Sequence, residues 1–142
     1  MTEVRVVDPS ATVALRQAVL RPHQTVDELL ANGDGRPGIG VYDGDRLVAC
    51  ASVRAEPMPG DERPTDWRLR GMASAPDVRG RGHGAQALHA ALDYAREHGA
   101  TRVWCNARTP ARGFYEKYGF ATVGDECAID GIGPHWLLWT LG

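Results

Sequence analysis

The run Arg79-Gly80-Arg81-Gly82-His83-Gly84 constrains the fold more tightly than any other part of the chain. Before it lies an extended pattern, Trp67 to Ala75, and after it Ala85, Leu88, Ala91, Leu92 and Ala95 recur at helical spacing. Glycines at alternate positions let the backbone turn tightly and approach a ligand without Cβ obstruction. A helix opening at that point aims unpaired N–H groups at negative charge. The run therefore predicts a strand, a loop and a helix in succession, with an anion cradle suited to a diphosphate between them.

The flanking sequence supplies the other elements. Val4 to Val7 is β-branched and alternating, and Asp8-Pro9-Ser10 offers a turn with capping oxygens before a helical pattern over Ala11 to Leu20 that Pro22 ends. Thr25 caps a second short helix, Val26 to Ala31. Asp43-Gly44-Asp45 between the apolar runs Ile39 to Tyr42 and Arg46 to Arg54 is an antiparallel hairpin signal. Glu56 to Thr65, rich in proline and acid, reads as a solvated loop and substrate-side flap. The helix after the loop stops at Gly99, Arg102 to Cys105 is a short buried strand, and Pro110 to Tyr118 is a helix stopped by Gly119. Phe120 to Val123, Ile129 and Trp136 to Leu141 supply a closing pair of strands. The order β-α-α-β-β-β-α-β-α-β-β predicts an α/β chain of α+β type with a mixed sheet covered on both faces.

At 142 residues the chain accommodates one domain, expected over 1–142, and its 43% hydrophobic content is that of a globular protein. A net charge of −2 gives no basic surplus for nucleic acid. No apolar stretch is long enough to span a membrane, and the charged N-terminus has no signal-peptide core, so a cytoplasmic location is expected. Cys50, Cys105 and Cys127 are odd in number and widely spaced, and the histidines form no HExxH or paired ligand motif. Reduced thiols and no metal follow.

Met72-x-Ser74-x-Pro76-x-x-Arg79-Gly80-x-Gly82-x-Gly84 and Phe114-Tyr115-x-x-Tyr118-Gly119-Phe120, with one helix and one strand between them, resemble the two signatures of the GNAT superfamily of acyl-CoA-dependent N-acyltransferases. The resemblance covers most of the chain. It implies a mostly antiparallel sheet of about seven strands, splayed between the fourth and fifth, with acetyl-CoA as co-substrate and no metal. It places the coenzyme A diphosphate on the backbone of Arg79, Gly80, Arg81, Gly82, His83 and Gly84, with Gly82 and Gly84 weighing most. The pantetheine arm lies along Met72, Ala73 and Ser74, where one N–H polarises the thioester carbonyl.

Tyr115 takes the place of the tyrosine that protonates the departing thiolate; read from its neighbours alone, it is equally a core aromatic. The family often has an asparagine seven residues before this tyrosine. Here that position is Arg108, with Asn106 nearby, and either residue is a candidate for the role at the pantetheine. The base that deprotonates the acceptor has no motif position. Glu56, Asp66, Glu126, Asp130 and His135 are candidates, and His135 lies in a Gly-Ile-Gly-Pro-His segment resembling the ends of some relatives. The expected activity is acetyl transfer to a primary amine, on a small molecule or a peptide, by direct attack in a ternary complex. A covalent route through Cys105 and a catalytically silent coenzyme A-binding module are the alternatives. Trp136 to Leu141, with little charge, suits pairing across a homodimer.

Overall fold

A computed structural model describes residues 2–7, 9–12, 14–15, 38–60, 63–129 and 133–141. The chain divides into two compact units, one of residues 1–54 and 69–95, the other of residues 55–68 and 96–142.

In the first unit, β1 (Thr2–Val7) pairs antiparallel with β2 (Gly38–Asp43), and β2 pairs antiparallel with β3 (Arg46–Ala55). Gly44, with φ +63°, makes the Asp-Gly turn between β2 and β3, as the hairpin signal requires. Residues 69–74 of β4 (Asp66–Ser74) follow β3 in the strand order. Side chains of β3 reach the backbone of β4, with Cys50 Sγ donating to the Gly71 carbonyl and Ser52 Oγ to that of Arg70. The core of this unit holds Ile39, Val41, Val48, Val53 and Leu69. Helix α1 (His83–Glu97) contributes Ala87, Leu88, Ala91, Leu92 and Ala95, the stripe that the helical spacing predicts. Gly99 ends it at φ +96°.

In the second unit, residues 66–68 of β4 pair parallel with β5 (Arg102–Arg108): Asp66 with Arg102, Trp67 with Val103 and Arg68 with Trp104. Strand β7 (Gly133–Leu141) pairs antiparallel with β5, and β6 (Ala121–Ile129) with β7. A 3-10 turn, Thr109–Ala111, leads into the short helix α2 (Arg112–Lys117), and Gly119 closes it at φ +95°. Val103, Trp104, Cys105, Tyr115 and Phe120 are buried here.

The described strands are thus seven and mostly antiparallel, with one parallel pairing, as expected. Several boundaries move, among them the start of β7, which lies at Gly133 and not at Trp136. β5 runs three residues past Cys105, β6 continues through Ile129, and α2 is preceded by a 3-10 turn where one continuous helix was expected from Pro110. Pro9–Thr12 is a 3-10 turn. The rest of the expected Ala11 to Leu20 helix falls almost wholly outside the described residues, and the Val26 to Ala31 helix entirely so.

Candidate active site

Within the first unit, the loop expected to hold phosphate is built from both ends. Upstream, the Ala75 amide donates to the Val48 carbonyl at 2.8 Å and a 3-10 turn spans Pro76–Val78. Asp77 is gripped by both Arg46 terminal nitrogens at 2.9 and 2.5 Å. Downstream, the first helical bond runs from the Gln86 amide to the Gly82 carbonyl, so the amides of His83, Gly84 and Ala85 precede the ladder. Gly80 and Gly82 both have φ +83°, and nothing lies within 4 Å of where a Cβ would stand at either. Backbone conformation, not crowding, demands glycine there. Gly84, the second residue of α1, has no positive φ.

Arg79 and Arg81 are exposed. His83 is half-buried, its Nδ1 lying 3.3 Å from Gln86 Oε1, while Gln86 Nε2 donates to Thr2 Oγ1. Met72, Ala73 and Ser74 close β4, and immediately before them Gly71 has φ +66°. A left-handed residue inside a strand bends it and re-aims the backbone that follows. Gly71 was not singled out in the sequence, although a lone glycine in an alternating run is the signal for it.

Within the second unit, Tyr115 is held by its backbone and its ring together. Its carbonyl accepts the amides of Tyr118 and Phe120 at 3.0 and 3.1 Å. Its ring meets Phe114 and Phe120 edge-on, at centroid distances of 5.3 and 5.5 Å. Burial first, and the neighbouring Cys105 second, push the phenol above its ordinary value of 10.0, so it keeps its proton throughout the neutral range. Cys105 is itself 2% exposed, and burial pushes its thiol up to about 12 against an opposing pull from Arg68. Asn106, the next residue on β5, is exposed and points to the opposite face of the strand. Backbone register sets His135 on β7 between Arg108 on β5 and Cys127 on β6, so two residues nominated separately in the sequence are neighbours.

Among the candidate bases, Asp66 is corrected. It is 1% exposed and accepts bonds from Arg102 Nε (2.8 Å), Arg102 Nη2 (2.7 Å), the Met58 amide and the Arg63 amide. A carboxylate so buried and so bonded holds the Met58 and Arg63 backbone to the sheet and is out of reach of an incoming amine. Asp66 is the first residue of β4, directly after the expected flap, and is buried. Glu56 is paired with Arg68 at 2.9 Å, and its carbonyl accepts the Trp104 indole N–H at 2.8 Å. Glu126 lies in β6, described by backbone alone, and Asp130 lies outside the described residues. No group of three metal-ligating side chains occurs among the described residues, and no described helix is long and apolar enough to cross a membrane.

Residues 9–120 match the family model described as Acetyltransferase (GNAT) family. The uncharacterized N-acetyltransferase YitI of Bacillus subtilis (strain 168) is 32% identical over 142 residues, covering 98% of this chain and 95% of its own. Escherichia coli ElaA superposes with a TM-score of 0.72 at 22% identity, over 99% of each chain. N-acetylglutamate synthase from Neisseria gonorrhoeae, solved with coenzyme A and N-acetyl-glutamate, superposes with a TM-score of 0.73 at 19% identity, over 99% of this chain and 35% of its own. The signatures at 72–84 and 114–120, the strand order and these matches agree: the chain belongs to the GNAT family and is an acyl-CoA-dependent N-acetyltransferase.

Proposed function

We propose that residues 1–142 act as one catalytic domain that transfers the acetyl group of acetyl-CoA to a primary amine by direct attack in a ternary complex. The burial of Cys105 carries the choice of direct attack. A thiol pushed up to about 12 is protonated at neutral pH, and the nucleophile of a covalent route is the thiolate. Acetyl-CoA supplies an activated acyl carbon and a sulfur leaving group.

The chain's own residues divide the remaining work. The open backbone at Gly80 and Gly82, with the exposed Arg79 and Arg81 beside it, fits a diphosphate, and His83 and Gly84 add first-turn amides. Met72, Ala73 and Ser74, re-aimed by Gly71, take the pantetheine arm by main-chain pairing, and one of their N–H groups stabilises the oxyanion. The resemblance gives Asn106 or Arg108 the asparagine's role at the pantetheine. Tyr115, a phenol that keeps its proton, donates it to the sulfur as the C–S bond breaks. His135 receives the proton the amine gives up; Asp66, another candidate, is already bonded through both oxygens to Arg102. We place the enzyme in the cytoplasm, where the free thiols Cys50 and Cys105 stay reduced.

The test is release of free coenzyme A thiol across a panel of primary amines. Tyr115→Phe is expected to lower kcat by about ten- to a hundredfold, at the weak end of acid catalysis because a thiolate leaves with little assistance, while acetyl-CoA affinity stays unchanged. Acetyl-cysteine detected by mass spectrometry without acceptor would overturn direct attack. Acetyl-CoA binding with no turnover on any amine would mark a silent coenzyme-binding module.

A further inference from the structure

Arg68 is the last residue of the parallel ladder between β4 and β5, opposite Trp104. Its guanidinium carbon lies 4.8 Å from the centroid of the Trp104 ring, and Nη1 donates to Glu56 Oε2 at 2.9 Å. Glu56 is held in turn by the Trp104 N–H on its carbonyl. Ring stack, ion pair and indole bond therefore fix the plane of the guanidinium, with the Arg68 and Glu56 side chains 22% and 21% exposed. Yet Arg68 Nε is buried and has no hydrogen-bond partner among the described residues. A donor left unmade out of water costs stability, and few such groups survive in a fold without a reason.

The unmade donor lies on a specific edge. Nε and Nη2 form the side of the fork that clasps a carboxylate with two parallel bonds. The same unit shows that edge in use, where Arg102 Nε and Nη2 hold the two oxygens of Asp66 at 2.8 and 2.7 Å. Where the role is structural, the fold brings its own carboxylate to the edge. At Arg68 it fixes the guanidinium through Nη1 and leaves Nε without a partner. Arg68 belongs to the same unit as Cys105 and Tyr115, and its charge opposes the rise of the Cys105 thiol.

We infer that the Nε edge of Arg68 binds a carboxylate of the acyl acceptor, and that the acceptors are small amines carrying a carboxylate, the amino-acid class. This rests on the reading of the chain as an amine acetyltransferase. Arg68 anchors and orients the acceptor, and it takes no part in bond making.

The test is calorimetric titration of the full chain, saturated with coenzyme A, with the common L-amino acids and their α-carboxamides. At least one amino acid is expected to bind about tenfold more tightly than its amide, the size of one charge-assisted contact. R68Q is expected to abolish that preference with coenzyme A affinity intact. R68K keeps charge and stem but lacks the fork and is expected to retain only part of it; it decides the matter if R68Q does not fold by circular dichroism. Equal binding of every acid and its amide, or a preference unchanged in both variants, would overturn the inference. A preserved carboxylate preference without acetyl transfer would instead overturn the proposed activity and leave this anchor standing.

Discussion

Arg102 and Arg68 stand on one short parallel ladder, the first opposite Asp66 and the second opposite Trp104, and the fold treats them differently. Arg102 is 1% exposed, and both oxygens of Asp66 meet its fork while two loop amides complete the carboxylate. Arg68 is half-buried, pinned by a ring and one carboxylate oxygen, with a buried donor unmade. A buried ion pair that is completely hydrogen-bonded offsets its own desolvation and fixes a register, whereas an incomplete one keeps binding capacity at a cost in stability. The first pair ties the Met58 and Arg63 amides to the sheet, and the second is the one inferred to bind the acceptor.

Breaking the complete pair has the largest expected effect. Asp66→Asn leaves the Arg102 charge buried without a counter-charge and is expected to cost about 3–5 kcal/mol, read as a fall in the urea midpoint. The same pair predicts acid behaviour. Burial alone raises the Asp66 carboxyl, but the bonds from Arg102, Met58 and Arg63 outweigh it and hold the group below its ordinary 3.8. A carboxyl lowered in the fold contributes stability that is complete above about pH 5 and is lost as pH falls through its folded value, so the loss is centred below 3.8. Asp66→Asn is expected to flatten that part of the profile. A wild-type midpoint independent of pH between 5 and 2, values spanning the window of about three units around an ordinary carboxyl, would contradict the pairing.

How these pairs escape a reading of the sequence is instructive. Turn chemistry is local, so Gly44 between β2 and β3, the Gly80 and Gly82 positions, and the stops at Gly99 and Gly119 are all legible from neighbouring residues. Asp66 and Arg102 are 36 residues apart, and only the parallel register of two strands brings their first residues together. With the acids Asp61 and Glu62 before it, Asp66 reads as the end of a solvated flap, although it begins a strand. Arg68 and Arg102 carry no motif at all. The one available signal is charge at the starts of two apolar strands expected to lie side by side, which asks for a partner on the neighbour. His135 shows the reverse case, since resemblance alone nominated it and the register then set it beside Arg108.

An intermediate effect is expected where the second cluster leans on the core. Trp104→Phe keeps a ring face for Arg68 but removes the N–H that bonds the Glu56 carbonyl. The expected cost is about 0.5–1.5 kcal/mol of unfolding free energy, the range for one lost hydrogen bond. If Arg68 depends on this scaffold for its orientation, KM for the acceptor rises while that for acetyl-CoA does not. A change in both would place Trp104 in general packing.

The smallest stability effect is expected at Glu56, and it draws the contrast most finely. Glu56 and Arg68 are each about one-fifth exposed, so water and salt screen their pair in a way closed to the Asp66 pair at 0% and 1%. Glu56→Gln keeps an oxygen for Arg68 Nη1 and loses only the charge, so the expected cost is below about 1 kcal/mol and shrinks further as ionic strength rises. The same substitution leaves Arg68 a less compensated cation, which strengthens its pull on an incoming carboxylate. Thermal melts at low and high salt, with a calorimetric titration of the amino-acid probe, measure the two consequences on one variant. Glu56→Gln as damaging as Asp66→Asn would mean that both pairs are structural and that the contrast between them has no functional content.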